Sequence, residues 1–204
     1  MNRRHQIRQS ADEIAGFSLL ELVIVAAVML IVSAIALPVF RTAINQYKLR
    51  TATVDVTSMV QRARMQCIRT NSSIAVQVIG NNQLLFDQNG NLAADPGEPL
   101  IQLPNNVVIA APAAAPGGLP GALGFAVVAT PPVPVIFNGR GVPCAVVGGV
   151  CSNWAGPGGA PVGFAYYLSQ TVSAGAAPNW AAVVVTPAGQ VKTWVFSAGA
   201  WGNR

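Results

Sequence analysis

The chain is short of charge and almost without histidine. Asp, Glu, Lys and Arg make up 9% of its 204 residues, and His5 is its single histidine. Beyond residue 16 no Ser-His-Asp or Cys-His site can therefore be built. Cysteine is nearly as scarce, with Cys67, Cys144 and Cys151, and no Cys-x-x-Cys with histidine support. That spacing argues against a zinc centre. No Gly-rich phosphate loop stands between a strand and a helix. Asp87, Asp95 and Glu98 crowd one loop instead of facing each other across a cleft. These absences together predict a chain that is not an enzyme.

What the chain does have is a long apolar run over 17–40, carrying one charge, Glu21. As a helix it spans about 36 Å at ~1.5 Å per residue, enough for a hydrocarbon core of about 30 Å. A carboxylate within such a helix costs roughly 2.5–3.5 kcal/mol on insertion scales, so it usually has a partner and a role. Residues 1–16 are polar, with Arg3, Arg4, His5 and Arg8 against Asp12 and Glu13. Their basic excess holds this end in the cytoplasm and places the body across the membrane. A competing reading is a secretory signal peptide cut after Ala34-Ile35-Ala36, leaving Leu37 first. Glu21 inside the apolar region, the length of that region and helical patterning beyond it favour retention of the helix. A plain one-pass anchor with an incidental Glu is the remaining reading.

Past the apolar run, Arg41, Lys48, Asp55, Arg62 and Arg69 recur every seven residues and form one charged stripe. Ala52, Val56, Met59, Val60, Ala63 and Cys67 mark the opposite, apolar face. The spacing predicts an amphipathic helix over 41–70, its apolar face covered by a globular domain. Alternation over 74–78, a turn at Gly80-Asn81-Asn82 and a return over 83–86 read as a hairpin. Further strands are expected at 107–110, 133–137, 164–168, 180–186 and 191–196, the last two joined around Pro187-Ala188-Gly189. The Pro/Ala/Gly-rich segment 111–134 is expected to be loops with short extended pieces. Residues 71–204 make one β-rich domain, and the fold class is α+β, a long helix packed on that domain.

The stretch Gly16-Phe17-Ser18-Leu19-Leu20-Glu21 resembles the processing site of type IV prepilins and pseudopilins. The resemblance implies that prepilin peptidase cuts between Gly16 and Phe17 and methylates the Phe17 amine, releasing the leader 1–16. It implies that Pro38 kinks the helix. It also implies that Glu21 pairs with the Phe17 amine of a neighbouring subunit, neutralising both charges in an apolar setting. Val135-Ile136-Phe137-Asn138-Gly139-Arg140-Gly141 and the C-terminal hairpin look like the GspH/FimT branch of minor pseudopilins. Expected from that likeness are a place in the bacterial inner membrane, with the C-terminal domain periplasmic, and then in a pseudopilus or pilus. Expected partners are other major and minor pseudopilins or pilins, prepilin peptidase, the inner-membrane assembly platform, and exported substrate or DNA.

Three smaller constellations remain open. Cys144 and Cys151 sit in a Gly-rich loop, and an extracytoplasmic location permits a disulfide between them, typically contributing about 2–4 kcal/mol. Cys67 then remains a small buried hydrophobe; pairing of Cys67 with either of the others is the alternative. Asp87, Asn89, Asn91, Asp95 and Glu98 fall at positions 1, 3, 5, 9 and 12 of a calcium-loop spacing. Position 6, which wants Gly, is Leu92, and a solvated turn-rich loop explains the same residues. No cofactor is expected otherwise. Without the leader the chain keeps a net charge of about +4, which can serve DNA phosphates. FimT-like proteins use basic residues near the C-terminus for DNA, and here that region offers Lys192 and Arg204.

Overall fold

A computed structural model describes residues 17–117, 119–130, 133–147, 150–153, 162–172 and 177–203. Within these, the side chains at 112, 120, 145–147 and 150–153 are not described. The leader 1–16 and Arg204 lie outside the described residues. The chain divides into two compact units, Met1–Arg41 and Thr42–Arg204.

One helix, α1 (Leu19–Thr70), belongs to both units and runs on through Pro38. The Leu22 amide donates to the Ser18 carbonyl at 3.1 Å, which makes Ser18 the residue that opens the helix. Within the first unit, the apolar part of α1 is long and apolar enough to cross a membrane, and none of it is buried within the chain. In the second unit the helix becomes one-sided. Leu49, Ala52, Val56, Met59, Val60, Ala63 and Cys67 are buried, while Arg62 and Arg69 are exposed. The helix stops at Thr70, where Asn71 turns into the left-handed region (φ 49°) and the Ser72 amide bonds back to the Cys67 carbonyl.

The rest of the second unit is two sheets. The first runs β3 (Leu100–Gln102), β2 (Gln83–Asp87), β1 (Ile74–Ile79), β6 (Val135–Phe137), β7 (Pro143–Val147), β8 (Val150–Asn153), antiparallel throughout. The second runs β12 (Ala200–Asn203), β11 (Val191–Ser197), β10 (Asn179–Val185), β9 (Val162–Gln170), β4 (Val107–Ile109). β5 (Ala126–Thr130) adds itself in parallel to β9. β9 is thus flanked on both edges and is buried at every position.

Period-2 alternation on β9 and β10 serves two cores. Phe164, Tyr166, Leu168, Ala181, Val183 and Val185 face the α1 stripe and join Val76, Leu84, Phe86, Val135 and Phe137 of the first sheet. Ala165, Tyr167, Trp180, Ala182 and Val184 face the other way and pack with Leu119 and Trp201. The Tyr166 hydroxyl donates to the Val76 carbonyl at 3.2 Å, tying the two sheets together. Its phenol is pushed far up by complete burial, with the Thr130 hydroxyl acting weakly the other way.

The second core gives the Pro/Ala/Gly-rich segment its role. After a 3₁₀ turn (Pro112–Ala114), Ala115 and the short helix α2 (Leu119–Leu123) pack on the outer face of the second sheet, and β5, on the edge of β9, adds Val127 and Ala129 to the same core. The Trp201 indole donates to the Pro116 carbonyl at 3.1 Å and meets Tyr167 and Phe196 edge-on. The expected C-terminal hairpin is real, with Val185 opposite Val191, but β12 extends it to three strands. The helix begins at Leu19 rather than at Phe17.

Three distant segments meet at the C-terminal end of α1. The Arg64 Nε donates to the Gly141 carbonyl at 3.1 Å. A Cβ on Gly189 (φ 77°) would run into that same carbonyl oxygen. Gly199 (φ 82°) sits in a comparable turn with nothing within 4 Å of where a Cβ would be. Gly199→Ala should therefore cost only the left-handed backbone penalty, about 1–2 kcal/mol. Gly189→Ala adds a backbone collision, and about 1–3 kcal/mol more is expected. Chemical unfolding of the detergent-solubilised chain checks this, and equal losses for the two variants would contradict it.

Candidate functional site

Glu21 lies in the first turn of α1, three residues after Ser18. A carboxylate there interacts favourably with the helix macrodipole, a gain of about 0.3–1 kcal/mol. That is smaller than the roughly 2.5–3.5 kcal/mol cost of a charge inside a membrane. Local helix chemistry thus does not account for Glu21 by itself. Among the described residues no cation pairs with it. Phe17, also described, is exposed beside it, and Gly16 lies outside the described residues.

The loop after β2 brings the five oxygen-bearing residues together. Asp87 is fully buried. Its two carboxylate oxygens accept from the Gly90 amide at 2.6 Å and the Leu92 amide at 2.7 Å. Asn89 and Asn91 each donate from Nδ2 to Asp95 Oδ2 at 2.6 Å. Their carbonyl oxygens accept from the Asn91 and Ala93 amides. Glu98 accepts from the Gln88 amide at 2.9 Å and the Asp95 amide at 3.2 Å. Leu92 takes up the left-handed backbone (φ 60°) that the sixth position of such a loop demands, although it is not Gly. The turn is therefore formed, and Asp87 holds it from inside. Apart from Asp95 Oδ1, these side-chain oxygens accept from N–H donors, and among the described residues no three His, Cys, Asp or Glu side chains group as metal ligands.

Cys67 is a free, buried thiol whose S–H donates to the Arg64 carbonyl at 2.9 Å. Burial pushes its thiol up, so it is a poor nucleophile. Cys144 and Cys151 fall on adjacent strands, opposite Asn153 and Val146 respectively. The Cys151 side chain lies outside the described residues. Lys192 is exposed on β11, opposite Val184, while Arg204 lies outside the described residues.

Two functional contacts escaped sequence reasoning. Arg64, like Arg50, lies off the seven-residue stripe, and its bond to the Gly141 carbonyl gives it a place there. The glycines of Asn138-Gly139-Arg140-Gly141 are needed because a Cβ on Gly139 or Gly141 would crowd Asn71 or Ile68 of α1. The two glycines after Asn138 in that motif were the available signal.

Fold and site together define an α+β chain in which a membrane-compatible helix continues into a two-sheet unit. Over 87 residues the chain is 36% identical to the pilin-like protein PilA1 of Thermus thermophilus, covering 41% of this chain and 54% of that protein. The chain thus spans about half the length of this curated relative. No family model matches the chain. No solved structure matches it either.

If Asp87 rather than an ion holds the loop, Asp87→Ala should cost about 2–4 kcal/mol, from two charge-assisted hydrogen bonds. Hydrogen exchange at the Gly90 and Leu92 amides should accelerate, and calcium or a chelator should leave the wild-type Tm unchanged. A calcium-dependent rise of several degrees would assign the loop to the ion.

Proposed function

We propose that this chain is a structural subunit of a type IV pilus or a type II secretion pseudopilus, of the GspH/FimT kind, and that its work is assembly rather than catalysis. The observation that carries this reading is a helix with two environments. It is exposed and apolar with one carboxylate near its start, then continuous with the stripe at the core of a β-rich unit. Similarity to a pilin-like protein supports it.

In this reading prepilin peptidase removes 1–16 by cutting between Gly16 and Phe17, and Phe17 is then N-methylated. The helix 17–40 waits in the inner membrane with the β-rich unit periplasmic, then enters the fibre with the help of the assembly platform. Glu21 meets the Phe17 amine of the next subunit. That contact offsets a cost the macrodipole cannot, and it fixes axial register. Pro38 supplies the bend that lets the helix follow the fibre axis. Cys144 and Cys151 form a disulfide that closes the β7–β8 connection, leaving Cys67 reduced. The surface of the β-rich unit meets other pilins, exported substrate or DNA.

The test is Glu21→Ala in the native host. The mature N-terminus should remain at Phe17 by mass spectrometry, while the amount of chain recovered in sheared fibres falls by about ten-fold or more. Normal incorporation of the variant would contradict the role of Glu21. A mature start at Leu37, or an intact leader, would contradict the processing.

A further inference from the structure

Outside the apolar segment, the exposed large hydrophobic side chains of the described residues fall in two places. One is the solvent side of α1, with Ile44, Tyr47, Val54, Met65 and Ile68. The other is the segment from the β2–β3 loop into β3, with Leu92 and Leu100. At 3.6 residues per turn, Tyr47, Val54, Met65 and Ile68 form one stripe, on the side away from Val56 and Ala63.

Charge divides between the same two places. Arg62 and Arg69 border the helix stripe, and neither has a hydrogen bond or ion pair among the described residues. Asp95 and Glu98 accept hydrogen bonds from neutral amides, and no described cation compensates them. The helix side is not flat. Arg62, Met65, Gln66, Ile68 and Arg69, with Phe86 from β2 and Gln88 just after it, line an open groove of about 660 Å³. Met65 is 65% exposed there and Leu100 is 51% exposed on β3, so each half leaves its apolar anchor uncovered.

We propose that this groove receives the 92–100 segment of a second copy of the chain. Leu92 and Leu100 cover Met65 and Ile68, while Asp95 and Glu98 come to Arg62 and Arg69. The inference rests on the fibre reading above and names one of its contacts. The occupant is a second copy because groove and segment are both apolar and opposite in charge, and both belong to this chain. Groove and segment adjoin on each copy, where the Phe86 amide bonds the Pro99 carbonyl and the Gln88 amide bonds Glu98, but they share no residue, so the contact is heterologous and repeats head to tail, as an open fibre requires. The apolar anchors supply contact area, and the charges set register and discriminate against wrong partners.

The experiment uses two differently tagged full-length copies expressed together in the native host. One carries Met65→Cys, the other Leu100→Cys, and a short thiol-reactive cross-linker is added. A second strain carries Ala27→Cys on both copies and reports contact between apolar helices. The expected result is a covalent heterodimer through 65 and 100. Its yield should fall about ten-fold when Arg62→Glu and Arg69→Glu are introduced, and partway with Arg62→Gln and Arg69→Gln. Abundance of the processed chain verifies that these exposed substitutions leave it folded. A link through residue 27 without one through 65 and 100 overturns this inference and leaves the fibre reading standing. A 65–100 link indifferent to charge reversal overturns the pairing proposed for the arginines. Absence of both links overturns the inference and the fibre reading together.

Discussion

The buried stripe of α1 is the contact on which the second unit depends. Leu49, Ala52, Val56, Met59, Val60, Ala63 and Cys67 belong to one core with residues of both sheets. Tyr166 then links sheet to sheet through Val76. With so few charges in the chain, apolar burial carries most of the folding free energy, and polar contacts mainly fix which surfaces meet. The same helix is apolar on all sides over its first part, where it is exposed among the described residues. Such a surface needs lipid or other protein.

The parts of the fold that follow from period were legible. Spacings of three and four residues located the buried face of α1 and its end at Thr70, and alternation located β1, β2, β9, β10 and β11. The parts that depend on distant partners were not. β5 is recognisable only once β9 offers it an edge, and Leu119 signals burial only once Tyr167 and Trp201 are seen beneath it. β7 and β8 lie in a stretch whose Gly content masks alternation, and β3 and β12 are too short to show a period. At the site, the loop spacing from Asp87 to Glu98 was visible. What the spacing could not show is that the Asp87 carboxylate turns inward to two backbone amides, because the partner of a carboxylate is not written in a sequence.

The corner at the end of α1 shows how a motif can be structural and still bear on function. Arg64, Gly141 and Gly189 hold the helix end against two turns from opposite sheets. That contact keeps the helix at a fixed place in the β-rich unit, while Arg62 and Arg69 on the same turns have no hydrogen bond or ion pair among the described residues. A helix that must serve as core on one side and as contact surface on another needs this kind of anchoring, since slippage by one residue would rotate both faces by about 100°.

The central claim is that the apolar part of α1 is covered by other subunits, with Glu21 answering a neighbour's amine. Electron cryomicroscopy of fibres containing this chain tests it most directly. The account predicts the 17–40 helices packed at the fibre axis, with the Glu21 carboxylate within ion-pair distance of the Phe17 amine of an adjacent subunit. A fibre in which these helices lie apart, or in which Glu21 faces solvent with no amine beside it, would contradict the account.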